Sequence, residues 1–351
     1  MTQAQSNRII YLDYIKALGI CLVIFYHCQF VPFDSMLIQG MYAMCVPLFF
    51  VVNGMLMLRR EYSIRELIKK NLKLLVVMLF WALVSTLVYM CVTENYVSDK
   101  GLTGVRSLIY SSLFLTKPEC NHLWFLKAIF VLNLFQPIIF KFINNNDKGL
   151  CYLIIMMALW SVAFLDIITC RIANPFVSWM TAYSVLYYLA GYAVLNNRLS
   201  NMDLFFKGRK GLCFLIGTIC FCALLQFGYN WVLVDGPLKE LNFEKGWVAD
   251  IVFDNYNALV VVIMTLSVCV LFKQINWKSN RFWLFVGRNS LAIYVLQTPV
   301  QRLLQHLLPL RQMTVEHHFM GLLLPILTLL ISVGISWLLQ TNKYTKFLIT
   351  I

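Results

Sequence analysis

The chain reads as ten long apolar runs separated by short polar breaks. The runs lie near residues 9–30, 41–58, 72–92, 123–142, 150–168, 178–196, 211–229, 253–273, 283–305 and 319–340. A helix needs about 20 apolar residues to cross the hydrocarbon of a bilayer. Backbone polar groups in lipid must be satisfied internally, which favours helices. The pattern therefore predicts an all-α polytopic membrane protein, with about ten transmembrane helices in one bundle and residues 1–351 forming a single transmembrane domain. Pro32, Pro118, Pro137, Pro175, Pro237 and Pro309 fall at or near the breaks, while Pro47, Pro299 and Pro325 fall inside runs, where lipid-embedded helices tolerate them.

Composition sharpens this picture. The 351 residues are 60% hydrophobic and only 13% charged, against about 25% charged in soluble domains, which excludes both an ordinary cytosolic globule and a disordered chain. The net charge is +13, from 29 Lys and Arg against 16 Asp and Glu. In a soluble protein that excess would suggest nucleic acid. Here, with the N-terminus placed in the cytoplasm, 19 basic residues fall in loops on that side and 8 on the other, with Lys16 and Lys127 inside runs. Basic residues collect in cytoplasmic loops, so the asymmetry predicts both termini inside and no nucleic-acid partner.

Most of the 11 cysteines, Cys21, Cys45, Cys151, Cys213, Cys220, Cys222 and Cys269 among them, sit in apolar runs without CxxC or zinc spacing. They read as small core residues, and no metal is expected. Cys91, Cys120 and Cys170 lie near the expected outer face, and a disulfide among them is left open. The first run carries Asp13 and Lys16 early and lacks a small-residue cleavage site, which does not fit a cleavable signal peptide.

That first run also holds the clearest chemical signal. The segment RIIYLDYIKALGICLVIFYHCQF contains Asp13, Lys16 and His27. An ionisable group in the membrane centre costs about 2.5–3.5 kcal/mol on the insertion scale, so three of them call for a reason. Lys16 and His27 are 11 residues apart. That spacing is about 20° past three full turns and about 16 Å along the axis, so both lie on one helix face. Asp13, three residues before Lys16, is placed to pair with it. The stripe fits a polar cavity facing the bundle interior. It also fits an interfacial Asp13–Lys16 pair that snorkels and a His27 that hydrogen-bonds between helices. Histidine suits proton transfer near neutral pH, so His27 in such a cavity is able to take the proton of a hydroxyl that attacks an acyl donor. The sequence has no GxSxG elbow and no recognisable Cys–His pair to compete as nucleophile.

Five segments together resemble the acyltransferase family 3 integral membrane proteins. Arg8, Leu12-Asp13, Lys16 and His27 resemble the family's opening, a basic residue followed by ten positions and a histidine. VPLFFVVNGMLM resembles its "PLFFFISGFL" segment, with Asn53 at the usual serine. KKNLKLL resembles a paired-basic "RxxR" element, with Lys70 and Lys73 at the arginine positions. HLWFLKAIFVLNLFQP (122–137) resembles the "WFL…L…P" span. GRNSLAIYVLQTP (287–299) resembles a late G-x-x-S-x-x-x-Y-x-x-H-x-P span, with Gln297 at the histidine. The resemblance implies an O-acyltransferase of the bacterial inner membrane, carrying an acyl group, usually acetyl, from cytoplasmic acetyl-CoA to a hydroxyl of a surface polysaccharide or lipid-linked glycan. Lysine meets a phosphate as a point charge, without the bidentate fork of arginine. The acyl group, the acceptor and any homo-oligomeric state stay open.

On this reading His27, Asp13, Lys16 and Asn53 are candidate catalytic residues. His27 is the base, and Lys16 either contacts donor phosphate or fixes Asp13. Asn53 sits in an Asn-Gly step where a helix break would free backbone amides for the thioester carbonyl; interhelical hydrogen bonding suits it as well. Lys70, Lys73, Arg59 and Arg60 form a basic cluster of the sign that acyl-CoA phosphates require, and positive-inside topology alone also accounts for it. Trp124, His122, Tyr294 and Gln297 are candidate acceptor-binding residues. Ser290, Tyr294 and Gln297 share a face, a second polar stripe that also fits plain helix packing, as interface anchoring fits Trp124 and snorkelling fits Lys127. The segment from about Tyr229 to Asp250, with Trp231, Trp247, Asp235, Glu240 and Glu244, suits a sugar-stacking loop or an ordinary interfacial one. Two rival readings stand: a transporter or flippase of glycan or lipid, although no internal repeat is evident, and a different membrane acyltransferase with an Asn/His pair.

Overall fold

The computed structural model describes residues 9–28, 42–93, 106, 122–163, 182–196, 206–229, 256, 258–308 and 322–350. Cys120, Cys170 and the aromatic and acidic residues expected in the 229–250 loop lie outside them. The described residues form helices and no strand. These are α1 Ile10–His27, α2 Cys45–Met57, α3 Ile64–Val92, α4 Trp124–Ile143, α5 Asp147–Ala163, α6 Ala182–Leu195, α7 Gly208–Tyr229, α8 Leu259–Gln274, α9 Arg281–Arg288, α10 Ser290–Leu307, α11 Leu323–Thr341 and α12 Lys343–Phe347.

A helix occupies each of the ten predicted runs. Among the described residues, five stretches are long and apolar enough to cross a membrane: Ile10–His27, Ile64–Val92, Trp124–Ile143, Gly208–Gly228 and Leu323–Thr341. Cys45–Met57, Tyr183–Leu195 and Leu259–Gln274 are shorter apolar helices. The described residues are all-helical, and the molecule is a multi-pass membrane protein.

Two boundaries differ from the hydropathy pattern for a local chemical reason. The third run starts eight residues early, at Ile64, because Ser63 and Glu66 close a capping box: the Glu66 amide donates to Ser63 Oγ (3.3 Å) and the Ser63 amide to Glu66 Oε2 (2.9 Å). Two orphan amides are satisfied there, so Lys70 and Lys73 are helical rather than in a loop. The ninth run is two helices, parted at Asn289 (φ −107°, ψ 18°). Asn280 starts α9 by accepting from the amides of Phe282 (3.0 Å) and Trp283 (3.2 Å), and the Asn289 side chain accepts from Gln340. Pro137 sits inside α4, not at its edge.

The chain forms two compact units. One gathers Met1–Leu22, Phe33–Glu61 and Ile138–Arg288; the other gathers Val23–Pro32, Tyr62–Pro137 and Asn289–Ile351. In the first, α2 and α6 touch backbone to backbone. A Cβ on Gly54 would lie 1.8 Å from the Tyr188 carbonyl oxygen, and one on Gly191 would lie 2.2 Å from the Val51 carbonyl oxygen. Two glycines give each helix a groove for the other's main chain, the small-residue packing that lipid-embedded helices use. Asn196 Nδ2 donates to the Met55 carbonyl (3.3 Å), and Lys273 Nζ to the Val194 carbonyl (3.2 Å); the second bond places a cation at the negative end of α6.

In the second unit α10 packs against both α3 and α11. The α11 face presents Thr328, Ser332 and Ser336, all fully buried, and Cys28 Sγ reaches Thr328 Oγ1 (3.9 Å). The chain end is pinned to α3: Trp81 Nε1 donates to the Leu348 carbonyl (2.9 Å) and Lys73 Nζ to Thr350 Oγ1 (3.2 Å). Between α3 and α4, Asn71 Nδ2 donates to the Phe130 carbonyl (3.1 Å) and Asn133 Nδ2 to Asn71 Oδ1 (3.0 Å).

Candidate functional site

At the start of α1, in the first unit, Asp13 is 2% exposed. Its Oδ1 lies 2.8 Å from Lys16 Nζ and its Oδ2 3.5 Å from Arg288 Nε. The predicted i,i+3 pair is present, with a second cation that the sequence did not single out. Arg288 ends α9, and the adjoining Gly287 brings α9 against α1: a Cβ there would meet the Asp13 carbonyl oxygen at 1.8 Å. Tyr14 locks the approach from the other side. Its hydroxyl donates to the Lys278 carbonyl (2.7 Å) and accepts from the Asn280 amide (3.0 Å), and its ring stacks on Trp277 at 4.4 Å. The buried carboxylate is thus held between two cations whose side chains are 19% and 39% exposed. The cluster keeps a net positive charge that faces partly outward, the sign an anionic ligand needs.

Asn53, in the same unit, lies inside the unbroken helix α2. The expected break is absent, because Gly54 serves the close approach to α6 rather than a turn, and the local amides stay in the helix ladder. Asn53 Nδ2 is buried without a hydrogen-bond partner, a donor that an acceptor atom brought beside it would satisfy. Arg59 and Arg60 are exposed just beyond α2 in this unit.

The second unit holds the rest. Lys70 and Lys73 are half-buried along α3. Lys70 Nζ sits 4.3 Å over the Tyr62 ring, and Lys73 Nζ lies 5.1 Å over Phe347 in addition to its bond to Thr350. His27 is the last residue of α1, half-buried, its ring edge-on to Tyr26 at 5.4 Å. His122 is 6% exposed in the turn that opens α4. Trp124, the first residue of that helix, is half-buried. Lys127 is 8% exposed.

Helix α10 holds the main chains that carry both histidines. Tyr294 donates from its hydroxyl to the His122 carbonyl, and its ring meets Phe125 at 5.7 Å. Gln301 Nε2 donates to the His27 carbonyl at 2.6 Å. Seven residues separate the two side chains, which is two turns and about 10 Å on one face. Gln297 lies on the turn between them, 1% exposed, with neither Nε2 nor Oε1 hydrogen-bonded. The stripe predicted through Tyr294 and Gln297 is therefore present. Its continuation to Gln301 went unremarked in the sequence, although i, i+3, i+7 spacing was the signal for it.

A family model described as an acyltransferase domain, of the acyltransferase 3 type, matches residues 9–341, nearly the whole chain. No curated protein and no solved structure matches the chain.

Proposed function

The chain belongs to the acyltransferase 3 family, and from that premise we propose that it carries an acyl group, acetyl by expectation, from cytoplasmic acyl-CoA to a hydroxyl of a surface polysaccharide or lipid-linked glycan. In this reading about ten helices cross the bacterial inner membrane, with both termini in the cytoplasm. The donor is anionic, and the cations on offer are Lys16 and Arg288 about Asp13, together with Lys70, Lys73, Arg59 and Arg60. The acceptor meets His122, Trp124, Tyr294 and Gln297.

The reaction needs a base and a stabilised oxyanion. His27, neutral, takes the proton of the acceptor hydroxyl. The oxygen attacks the thioester carbonyl carbon, and the charge that develops on the carbonyl oxygen calls for a hydrogen-bond donor. The new C–O bond forms, the C–S bond breaks, and the CoA thiolate takes the proton from the imidazolium. The products are an ester and free CoA thiol.

The observation that carries this reading is α1. It is one unbroken helix, with the ion-paired Asp13 and Lys16 near its start and His27 as its last residue, about 16 Å beyond Lys16 along the axis. A donor phosphate at one end and a proton acceptor at the other suit a thioester arriving from one side and an alcohol from the other.

The test uses purified full-length protein, labelled acetyl-CoA and detergent-solubilised glycan-bearing membranes. Label should enter the glycan without sealed vesicles. His27→Ala should abolish transfer while the protein still folds and inserts. Wild-type transfer by that variant would remove His27 as base, and vesicle transport without a covalent product would favour a carrier.

A further inference from the structure

We propose that Gln297 is the residue that binds the acceptor hydroxyl, through a buried carboxamide that no protein group hydrogen-bonds. The inference rests on the acyl-transfer reading and deepens it.

A buried carboxamide has two N–H donors and a carbonyl acceptor. Left unpaired, such a group carries an uncompensated desolvation cost, and native structures rarely keep it without a purpose. Gln297 is 1% exposed and pairs neither end. Its neighbours on the same face are both engaged: Tyr294 with the carbonyl of His122, and Gln301 with the carbonyl of His27. The free amide therefore sits on the turn between the two side chains that hold the histidine-bearing main chains.

The chemistry of the amide selects its ligand. It is neutral, so it does not compensate a phosphate or carboxylate, which call for arginine or lysine. It both donates and accepts, as a hydroxyl does. Two adjacent hydroxyls satisfy both of its ends at once, one donating to Oε1 and one accepting from Nε2. A sugar that presents a vicinal diol fits this demand, one hydroxyl remaining bound while its neighbour reacts.

The proposal separates stability from activity. Replacing an unpaired buried polar group by an apolar one of similar size is neutral or stabilising, whereas replacing a bonded one destabilises. Gln297→Leu should therefore unfold at the wild-type temperature or above it. In the same full-length protein, held in lipid nanodiscs with labelled acetyl-CoA and membranes of the parent cells lacking the gene, its apparent KM for those membranes should rise more than tenfold. Its KM for acetyl-CoA should stay within about twofold of wild type. Gln297→His, which keeps one donor and one acceptor when neutral, should recover most of the loss. An unchanged acceptor KM in Gln297→Leu, or a lowered unfolding temperature, would overturn the proposal while leaving the enzyme an acyltransferase. Absence of transfer by the wild-type protein would overturn the acyl-transfer reading and this proposal with it.

Discussion

The Asp13 carboxylate meets the Arg288 guanidinium, Oδ2 to Nε, at 3.5 Å, while its other oxygen holds Lys16 at 2.8 Å. The first pairing ties the start of α1 to the end of α9, two elements far apart in the sequence. The Gly287 backbone, pressed against the Asp13 carbonyl, makes the same join by packing alone. A buried anion between two cations fixes where both point, so Asp13 reads as a positioning residue for Lys16 and Arg288.

Asp13→Asn should loosen that join. Removing one member of a buried pair costs about 3–5 kcal/mol. Lys16 and Arg288 keep part of their hydration, so water offsets some of it and a loss of about 2 kcal/mol is expected. Thermal unfolding in detergent measures it. Lys16→Met and Arg288→Met should each be milder, because a remaining cation still compensates the carboxylate. Equal stability in all three variants would show that the carboxylate holds nothing.

Gly54→Ala and Gly191→Ala should both impair folding. The added Cβ would fall 1.8 Å from the Tyr188 carbonyl and 2.2 Å from the Val51 carbonyl, and backbone cannot rotate out of the way as a side chain can. Overpacking of this kind costs about 1–3 kcal/mol or more. Gly334→Ala and Gly217→Ala, where a Cβ meets nothing within 4 Å, should be neutral or stabilising by up to about 1 kcal/mol through helix propensity. Expression level and unfolding temperature in the four variants give the comparison.

Lys70→Ala and Lys73→Ala test the donor cluster. If these cations meet phosphate, each loss should raise the KM for acyl-CoA about tenfold and leave the acceptor KM unchanged, the sign of a binding contact rather than a transition-state one. Lysine to arginine should keep or improve donor binding. Lys73 also ties the chain end to α3 through Thr350, so Lys73→Ala should lower the unfolding temperature slightly. An unchanged donor KM in both would reduce the cluster to a topology signal.

Much of this was legible from residue order. Apolar length located a helix in every predicted run, and the spacing of Asp13 and Lys16 gave their pairing, because both are local properties of one helix. The glycine in Asn53-Gly54 misled, since the step that makes a turn in water serves a close helix crossing here, and only the partner helix α6 reveals that. Arg288, Tyr14 and Gln301 escaped notice for a related reason. Their partners lie far away in sequence, and no periodicity within one helix encodes which distant carbonyl or carboxylate a side chain will reach. The capping box at Ser63 and Glu66 was there to be read, but hydropathy outweighed it and shortened α3.

Gln301 offers the sharpest check on the histidine assignment. Its amide donates to the His27 carbonyl at the end of α1, where carbonyls lack intrahelical donors. The bond fixes the main chain that carries the proposed base. Gln301→Leu keeps the volume and removes the donor, so the His27 backbone gains freedom while Gln297 and the donor-side cations stay as they are. The expected result is a fall in kcat of about tenfold, one misplaced catalytic group being worth that much or more, with both KM values unchanged. Tyr294→Phe makes the parallel change at His122. It should raise the acceptor KM instead, because His122 belongs to acceptor binding in this scheme. If Gln301→Leu shifted KM alone, Gln301 would belong to substrate binding, and the base would have to be sought elsewhere than His27.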